Sequence, residues 1–201
     1  MRDVIDHYDK LIDENNDPVH DPKPLRDYMD KWDGQSFIDS MQLDKSKTVL
    51  EIGIGTGRLA VRVAPTCKSL CGIDVSQKTI QRASENLLGH NNVSLVCGDF
   101  IAFEFKERFD VIYSSLTFMH IEDKFSAIQK IASLLNDNGL FVLSVDKDQS
   151  DIIDMGDRKI KIYPDDPLNI RKFLSMSNLK IINEFEREHA YITVSKKASL
   201  F

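Results

Sequence analysis

The sequence predicts an α/β protein built on a doubly wound, mostly parallel seven-stranded sheet, with an antiparallel C-terminal strand and an N-terminal helical cap. Three observations lead there. From residue 48 onward, short apolar runs alternate with segments of helical periodicity, the pattern of βαβ units whose sheet is covered on both faces. Directly after the first apolar run stands Glu51-Ile52-Gly53-Ile54-Gly55-Thr56-Gly57, a tight glycine turn of the kind that joins a strand to a helix. A chain of 201 residues with 42% hydrophobic and 29% charged content also has enough apolar material for one domain with a substantial core.

Residues 1–47 differ from the rest. A helical start over 4–14, a Pro- and Asp-rich passage over 15–24 and an amphipathic segment over 25–41 are expected to form a cap or lid. The passage at 15–24 is too short for a flexible interdomain linker. The βα core over 48–145 carries strands at 48–52, 69–73, 93–97, 109–114 and 140–145. Between them, Ile80, Ala83 and Leu87 share one helical face, and Phe125, Ile128, Ala132 and Leu135 share another, which stops at Asn138-Gly139. Residues 146–201 begin with a polar stretch and continue with a short strand at 159–163. Asp166 as N-cap and Pro167 at the first helical position open a helix through Ser177, and strands at 179–186 and 190–196 form an antiparallel pair. Without internal repeats or low-complexity tracts, 1–201 reads as a single domain.

Composition narrows the function classes. A formal net charge of -6 provides no global positive field, so nucleic acids and anionic membranes are not expected partners. The acidic N-terminus lacks an apolar signal region and no stretch is long enough to span a bilayer, which predicts a cytoplasmic protein. Cys67, Cys71 and Cys97 are odd in number and sit in or beside strand segments, so they are expected to be free, buried thiols. Neither these cysteines with His90 nor the acid-rich run at 146–157 shows zinc or calcium ligand spacing. No metal is expected, and 146–157 reads as a solvated connection.

Alternate glycines let a ligand approach the main chain closely, and the helix that follows offers unpaired N–H groups, so the loop reads as a nucleotide cradle. Arg58 stands where a dinucleotide fingerprint needs its third glycine, which weakens a nicotinamide-dependent oxidoreductase to an alternative. No Gly-Lys-Ser/Thr follows, which removes a Walker phosphate loop. Glu51 with Gly53, Gly55 and Gly57 resembles motif I of the class I S-adenosylmethionine-dependent methyltransferases. Three later stretches resemble further elements of that family: Ile73-Asp74-Val75, Cys97-Gly98-Asp99-Phe100, and the run from Phe109-Asp110-Val111 to His120. The four ordered matches lie within 49–145.

The resemblance implies the Rossmann-like methyltransferase fold, S-adenosylmethionine as cofactor, and methyl transfer by in-line displacement. It places Glu51 at the turn, with Gly53, Ile54, Gly55 and Gly57 beneath the methionine part. Asp74, with Val75 beside it, would accept from the ribose hydroxyls, or else begin a turn or cap the helix after Ser76. Asp99 would accept from the adenine amino group, or else be a turn carboxylate. Phe100 would border the ring or join the core, and Ser114 and Ser115 close the fourth strand at the crevice. Tyr8-Asp9 resembles the Tyr-Asp pairs at the start of many small-molecule members, which makes Tyr8 the first lid residue. Trp32, near Tyr28 on one helical face, is a substrate-stacking candidate for which core packing is the favoured reading. His120 is a candidate proton acceptor. Its alternatives are capping the helix at Glu122-Asp123 or orienting substrate.

Acidic charge, the lack of an added nucleic-acid domain, and Ser114-Ser115-Leu116-Thr117 in place of an Asn/Asp-Pro-Pro-aromatic motif favour a small-molecule acceptor. A non-catalytic module binding S-adenosylmethionine or S-adenosylhomocysteine is the alternative. The acceptor atom and the oligomeric state stay open.

Overall fold

A computed structural model describes residues 2–198. The cap contains α1 (Arg2–Asp13), α2 (Lys23–Met29) and α3 (Gly34–Ser40). The core follows as β1 (Thr48–Ile52), α4 (Ala60–Val63), β2 (Ser69–Asp74), α5 (Gln77–Asn86), β3 (Val93–Cys97), β4 (Phe109–Ser115), α6 (Lys124–Leu134) and β5 (Leu135–Asp146). The C-terminal part has β6 (Ile152–Asp154), β7 (Lys159–Lys161), α7 (Pro167–Met176), β8 (Leu179–Glu186) and β9 (Ala190–Lys197).

Seven strands form one sheet in the order β3-β2-β1-β4-β5-β9-β8, in which β9 runs antiparallel to both of its neighbours. Strand order reverses between β1 and β4. That switch point leaves a crevice at the carboxyl ends of the strands, where ligands of open α/β sheets bind. Both faces of the sheet are buried, which explains the unbroken apolar runs. Val49 packs with Phe37, Met41 and Val142 on the α3 side, while Leu50 and Ile52 pack with Ile128, Ile131 and Phe141 on the α6 side.

Several elements depart from expectation. The segment at 25–41 is two helices rather than one, because Gly34 takes φ 70° and Asp33 accepts a hydrogen bond from its N–H at 2.6 Å, starting α3 afresh. α6 stops at Leu134, before Asn138-Gly139, because Leu135 pairs with Phe109 and Asn136 Nδ2 donates to Asp110 at 2.9 Å. The helix after the glycine loop is only four residues long and passes into a 3-10 turn at Ala64–Thr66, where Pro65 has no N–H to continue it. The connection at 146–157 contains β6, which pairs with β7 in a separate hairpin, so the strand expected at 159–163 lies outside the main sheet.

All three cysteines are free, but only Cys67 is buried; Cys71 is half-buried and Cys97, at the end of edge strand β3, is exposed. No helix among the described residues is long and apolar enough to cross a membrane.

Candidate functional site

At the end of β1 the chain turns back across β2. Gly53 and Ile54 both donate to the Ile73 carbonyl, at 2.8 and 3.1 Å, and Gly57 donates to Ile54 at 3.0 Å. Gly53, Gly55 and Gly57 all have positive φ (75°, 57° and 96°), a region that costs other residues strain. Their surroundings differ. A Cβ on Gly53 would collide with the Thr117 side chain, whereas a Cβ on Gly55 meets nothing within 4 Å. Gly55 therefore borders open space, the feature expected where a ligand approaches backbone.

That space is a cavity of about 500 Å³ at the switch point. Of the residues expected at the site, Glu51, Gly53, Ile54, Gly55, Asp74, Val75, Asp99, Phe100, Ser115, Tyr8 and His120 are at it, Val75 and Tyr8 included. Three are not. Gly57 serves the turn against Leu87. Ser114 is buried between strands and donates to the Ile52 carbonyl at 3.0 Å. Trp32 lies outside the cavity, donating to Asp146 at 2.7 Å and packing on Tyr28 and His189, a partly buried position against the core. Tyr28, on α2, does line the cavity, whereas Trp32 falls in the turn after that helix.

Asp74 ends β2 with one carboxylate oxygen accepting from Gly55 N–H and the other from Ser76 N–H, both at 3.0 Å. Burial pushes its carboxyl above the usual range, opposed by these N–H donors. It does not cap α5; Ser76 does, accepting from Thr79 N–H at 3.0 Å. Asp99 turns the chain after β3, one oxygen accepting from Ile101 N–H at 2.8 Å. Phe100 is 5% exposed, packs near Phe105 and forms part of the cavity wall.

Glu51 is 4% exposed and accepts a hydrogen bond from the Tyr113 hydroxyl at 2.6 Å. Burial raises its pKa to about 8, so it is mostly protonated at neutral pH. Beside it is a network that sequence reading missed. Arg58 grips the fully buried Asp33 with two guanidinium nitrogens, at 3.0 and 2.5 Å, and Ser115 Oγ donates to the same carboxylate at 2.8 Å. Burial opposes the charge on Asp33, but the Arg58 contacts outweigh it and hold the carboxyl below its ordinary range. No local signal marks a pair 25 positions apart.

His120 closes a 3-10 turn after Leu116, itself at φ 55°. Its Nε2 lies 2.9 Å from the Tyr8 hydroxyl, and its Nδ1 is buried without a hydrogen-bond partner. Burial, then the neighbouring His7 and Lys124, lowers its pKa to about 4. The helix-capping alternative fails, since Asp123 caps α6 by accepting from Ser126 N–H at 3.0 Å.

Polar contacts tie the cap down on two sides. Towards α5, Asp9 accepts from Ser76, Asp13 from Lys78, and Asp17 from Asn86 and Arg82. Towards the β6–β7 hairpin, Lys10 pairs with Asp157, Glu14 with Arg158, and His7 Nδ1 accepts from Arg158 Nε at 2.9 Å. The open face of Gly55, two carboxyls at the ends of adjacent strands and an aromatic wall fit an adenosyl ligand.

Residues 43–178 match the family described as methyltransferase domain. The chain is 37% identical over 121 residues to an uncharacterized methyltransferase of Anoxybacillus flavithermus, covering 58% of this chain and 56% of that protein. It is 33% identical over 112 residues to one of Alkaliphilus oremlandii, covering 55% and 50%. The chain thus spans about half the length of the curated relatives it matches.

Among solved structures, N-methyltransferase NodS of Bradyrhizobium japonicum, in complex with S-adenosyl-L-homocysteine, superposes with a TM-score of 0.72 at 19% identity, covering 96% of this chain and 98% of that one. A S-adenosylmethionine-dependent methyltransferase of Clostridium acetobutylicum gives 0.70 at 17% identity, covering 96% of both chains. These two likenesses establish the fold, and the family match goes further. With its glycine turn, its seven-stranded order and its match over 43–178, the chain belongs to the methyltransferase domain family, the class I S-adenosylmethionine-dependent methyltransferases.

Proposed function

We propose that the protein catalyses transfer of the methyl group of S-adenosylmethionine to a small-molecule acceptor within the capped cavity. One observation carries the small size of the acceptor: the cavity of about 500 Å³ has the glycine turn and Asp74 on one wall and residues of α1 and α2 on the other. Cofactor and acceptor would share that volume. Bound there, S-adenosylmethionine supplies an electrophilic methyl carbon on a sulfonium.

The chain's own residues then bind, orient and exclude water. The turn at Gly53–Gly55 would hold the methionine part, Asp74 the ribose hydroxyls, Asp99 the adenine amino group through its second oxygen, and Phe100 the ring. The cap, 1–47, acts as a lid over the core at 48–145, and its removal of water would strengthen every polar contact inside. Glu51, neutral and bonded to Tyr113, shapes the turn rather than exchanging protons.

His120 and Tyr8 face the acceptor as a neutral pair. With a pKa near 4, His120 holds no proton charge at neutral pH and orients the acceptor through the Tyr8 hydroxyl. His120→Ala is expected to lower turnover about tenfold or more while S-adenosylhomocysteine affinity stays within twofold, since general acid–base or orienting groups contribute on this scale. Full turnover in the variant would remove His120 from the mechanism.

Asp74→Ala is expected to weaken S-adenosylhomocysteine binding by about 2–3 kcal/mol, the loss of two hydrogen bonds to a charged acceptor. Unchanged affinity would refute the ribose assignment. The reading as a whole is tested by calorimetric titration with S-adenosylmethionine and S-adenosylhomocysteine, followed by a methyl-release assay over a panel of small acceptors. Binding without transfer across the panel would favour a non-catalytic binding module.

A further inference from the structure

The ionisable residues lining the cavity are unequal in sign. Asp21, Asp74 and Asp99 stand against a single guanidinium, Arg58, while Glu51 beside them is protonated at neutral pH. Arg58 is already committed to Asp33, with Asp30 3.9 Å away, so among the described residues no Lys or Arg at the cavity is free to receive an anion.

The carboxyls differ as well. Asp74 is bonded to two backbone N–H groups, Asp99 to one, and Glu51 to Tyr113. Asp21 is half-buried at the cavity wall, and no hydrogen bond or ion pair to its carboxylate exists among the described residues. Its position is nonetheless well held. The preceding turn is fastened over the glycine loop, with His20 Nε2 2.9 Å from Asn86 Oδ1 and Asn86 Nδ2 donating to the Thr56 carbonyl at 2.9 Å. On the other side, Pro22 leads directly into α2, whose Leu25, Tyr28 and Met29 supply apolar wall.

We infer that the acceptor is a small organic cation, a protonated amine on an apolar body, and that Asp21 is the residue that selects it. The inference rests on the methyltransferase reading above and names its substrate class. An unpaired carboxylate at the edge of an apolar wall attracts a cation and repels an anion, and Asp74 and Asp99 across the cavity add to both effects. Carboxylate- or phosphate-bearing acceptors would meet carboxyls with no free counter-charge, a strongly unfavourable arrangement in a partly desolvated site. Leu25, Tyr28 and Met29 would receive the apolar body while its ammonium pairs with Asp21.

The test uses the full-length protein saturated with S-adenosylhomocysteine, titrated with phenethylammonium and its isosteres 2-phenylethanol and 3-phenylpropanoate, and with the cyclohexyl versions of all three. The cation is expected to bind at least about tenfold more tightly than the alcohol and the carboxylate in either series. Asp21→Asn should abolish that preference while leaving S-adenosylhomocysteine affinity within twofold. Equal binding of the three charge types, or a preference that survives Asp21→Asn, would overturn the inference. A loss of S-adenosylhomocysteine affinity in Asp21→Asn would also overturn it, assigning the carboxylate to the α-ammonium of the cofactor instead. Failure of the unaltered protein to bind S-adenosylhomocysteine at all would overturn the cofactor reading, and this inference with it.

Discussion

Replacing Arg58 by Ala is expected to destabilise the protein by about 3–5 kcal/mol, because it strands the buried carboxylate of Asp33 without its counter-ion. Asp33 is fully buried, and its remaining donors, Gly34 N–H and Ser115 Oγ, are neutral. The double variant Asp33→Asn with Arg58→Ala should recover a large part of the loss, since no uncompensated charge then remains inside. Urea unfolding of the two variants and the unaltered protein measures both effects. A single variant within about 0.5 kcal/mol of the starting protein would show that water reaches Asp33. The consequence extends to the site, because this pair joins the start of α3 to the glycine loop and to Ser115 at the end of β4.

A second large effect concerns pH. Glu51 has a folded-state pKa of about 8 against an ordinary value of 4.5. The group therefore binds its proton more tightly in the folded protein, and its contribution to stability is full below pH 4.5 and lost as pH rises through 8. The loss across that window is on the order of 5 kcal/mol. Glu51→Gln keeps an oxygen for the Tyr113 hydroxyl but cannot ionise. Its stability relative to the unaltered protein should accordingly rise steadily from pH 4.5 to about 8 and then level off, as followed by denaturant titration at a series of pH values. Parallel profiles for the two proteins would mean that Glu51 is ionised in the fold at neutral pH.

His120 acts with the opposite sign. Its pKa falls from 6.5 to about 4, so the stability tied to its neutral form is present above 6.5 and fades as pH falls through 4. Near pH 6 both groups are largely neutral, and the cavity then holds two uncharged side chains, a protonated acid and a neutral imidazole, where unburied groups would mostly carry opposite charges. Burial is the largest cause in each case.

Much of the scaffold could be read along the chain. The strands from β1 to β4 begin where their apolar runs begin, because a parallel sheet covered on both faces demands consecutive apolar residues. Asp166 with Pro167 marks the start of α7, since the cap acts on N–H groups only two and three residues away. The glycine turn was legible for the same reason: positive φ at 53, 55 and 57 is a local requirement that glycine meets without strain. Asp74 and Asp99 follow, being the residues at the ends of the next two strands. Misread elements were those whose local signal was overruled from a distance. Asn138-Gly139 would end a helix by itself, but pairing of Leu135 with Phe109 claims the chain four residues earlier.

The linear pattern of apolar runs, caps and glycines thus sufficed for the strands, the start of α7 and the glycine turn, because each depends on neighbours within a few residues, whereas the strand order rests on pairings such as Val49 with Val111. Folding in three dimensions assigned the rest. It brought Tyr8 to His120 across 112 positions, Arg58 to Asp33 across 25, and Tyr113 to Glu51 across 62. It also took Trp32 out of the cavity and left Asp21 in its wall without a counter-ion. Charge state and partnership depend on burial and on which distant side chains arrive, and neither quantity exists until the chain has closed on itself.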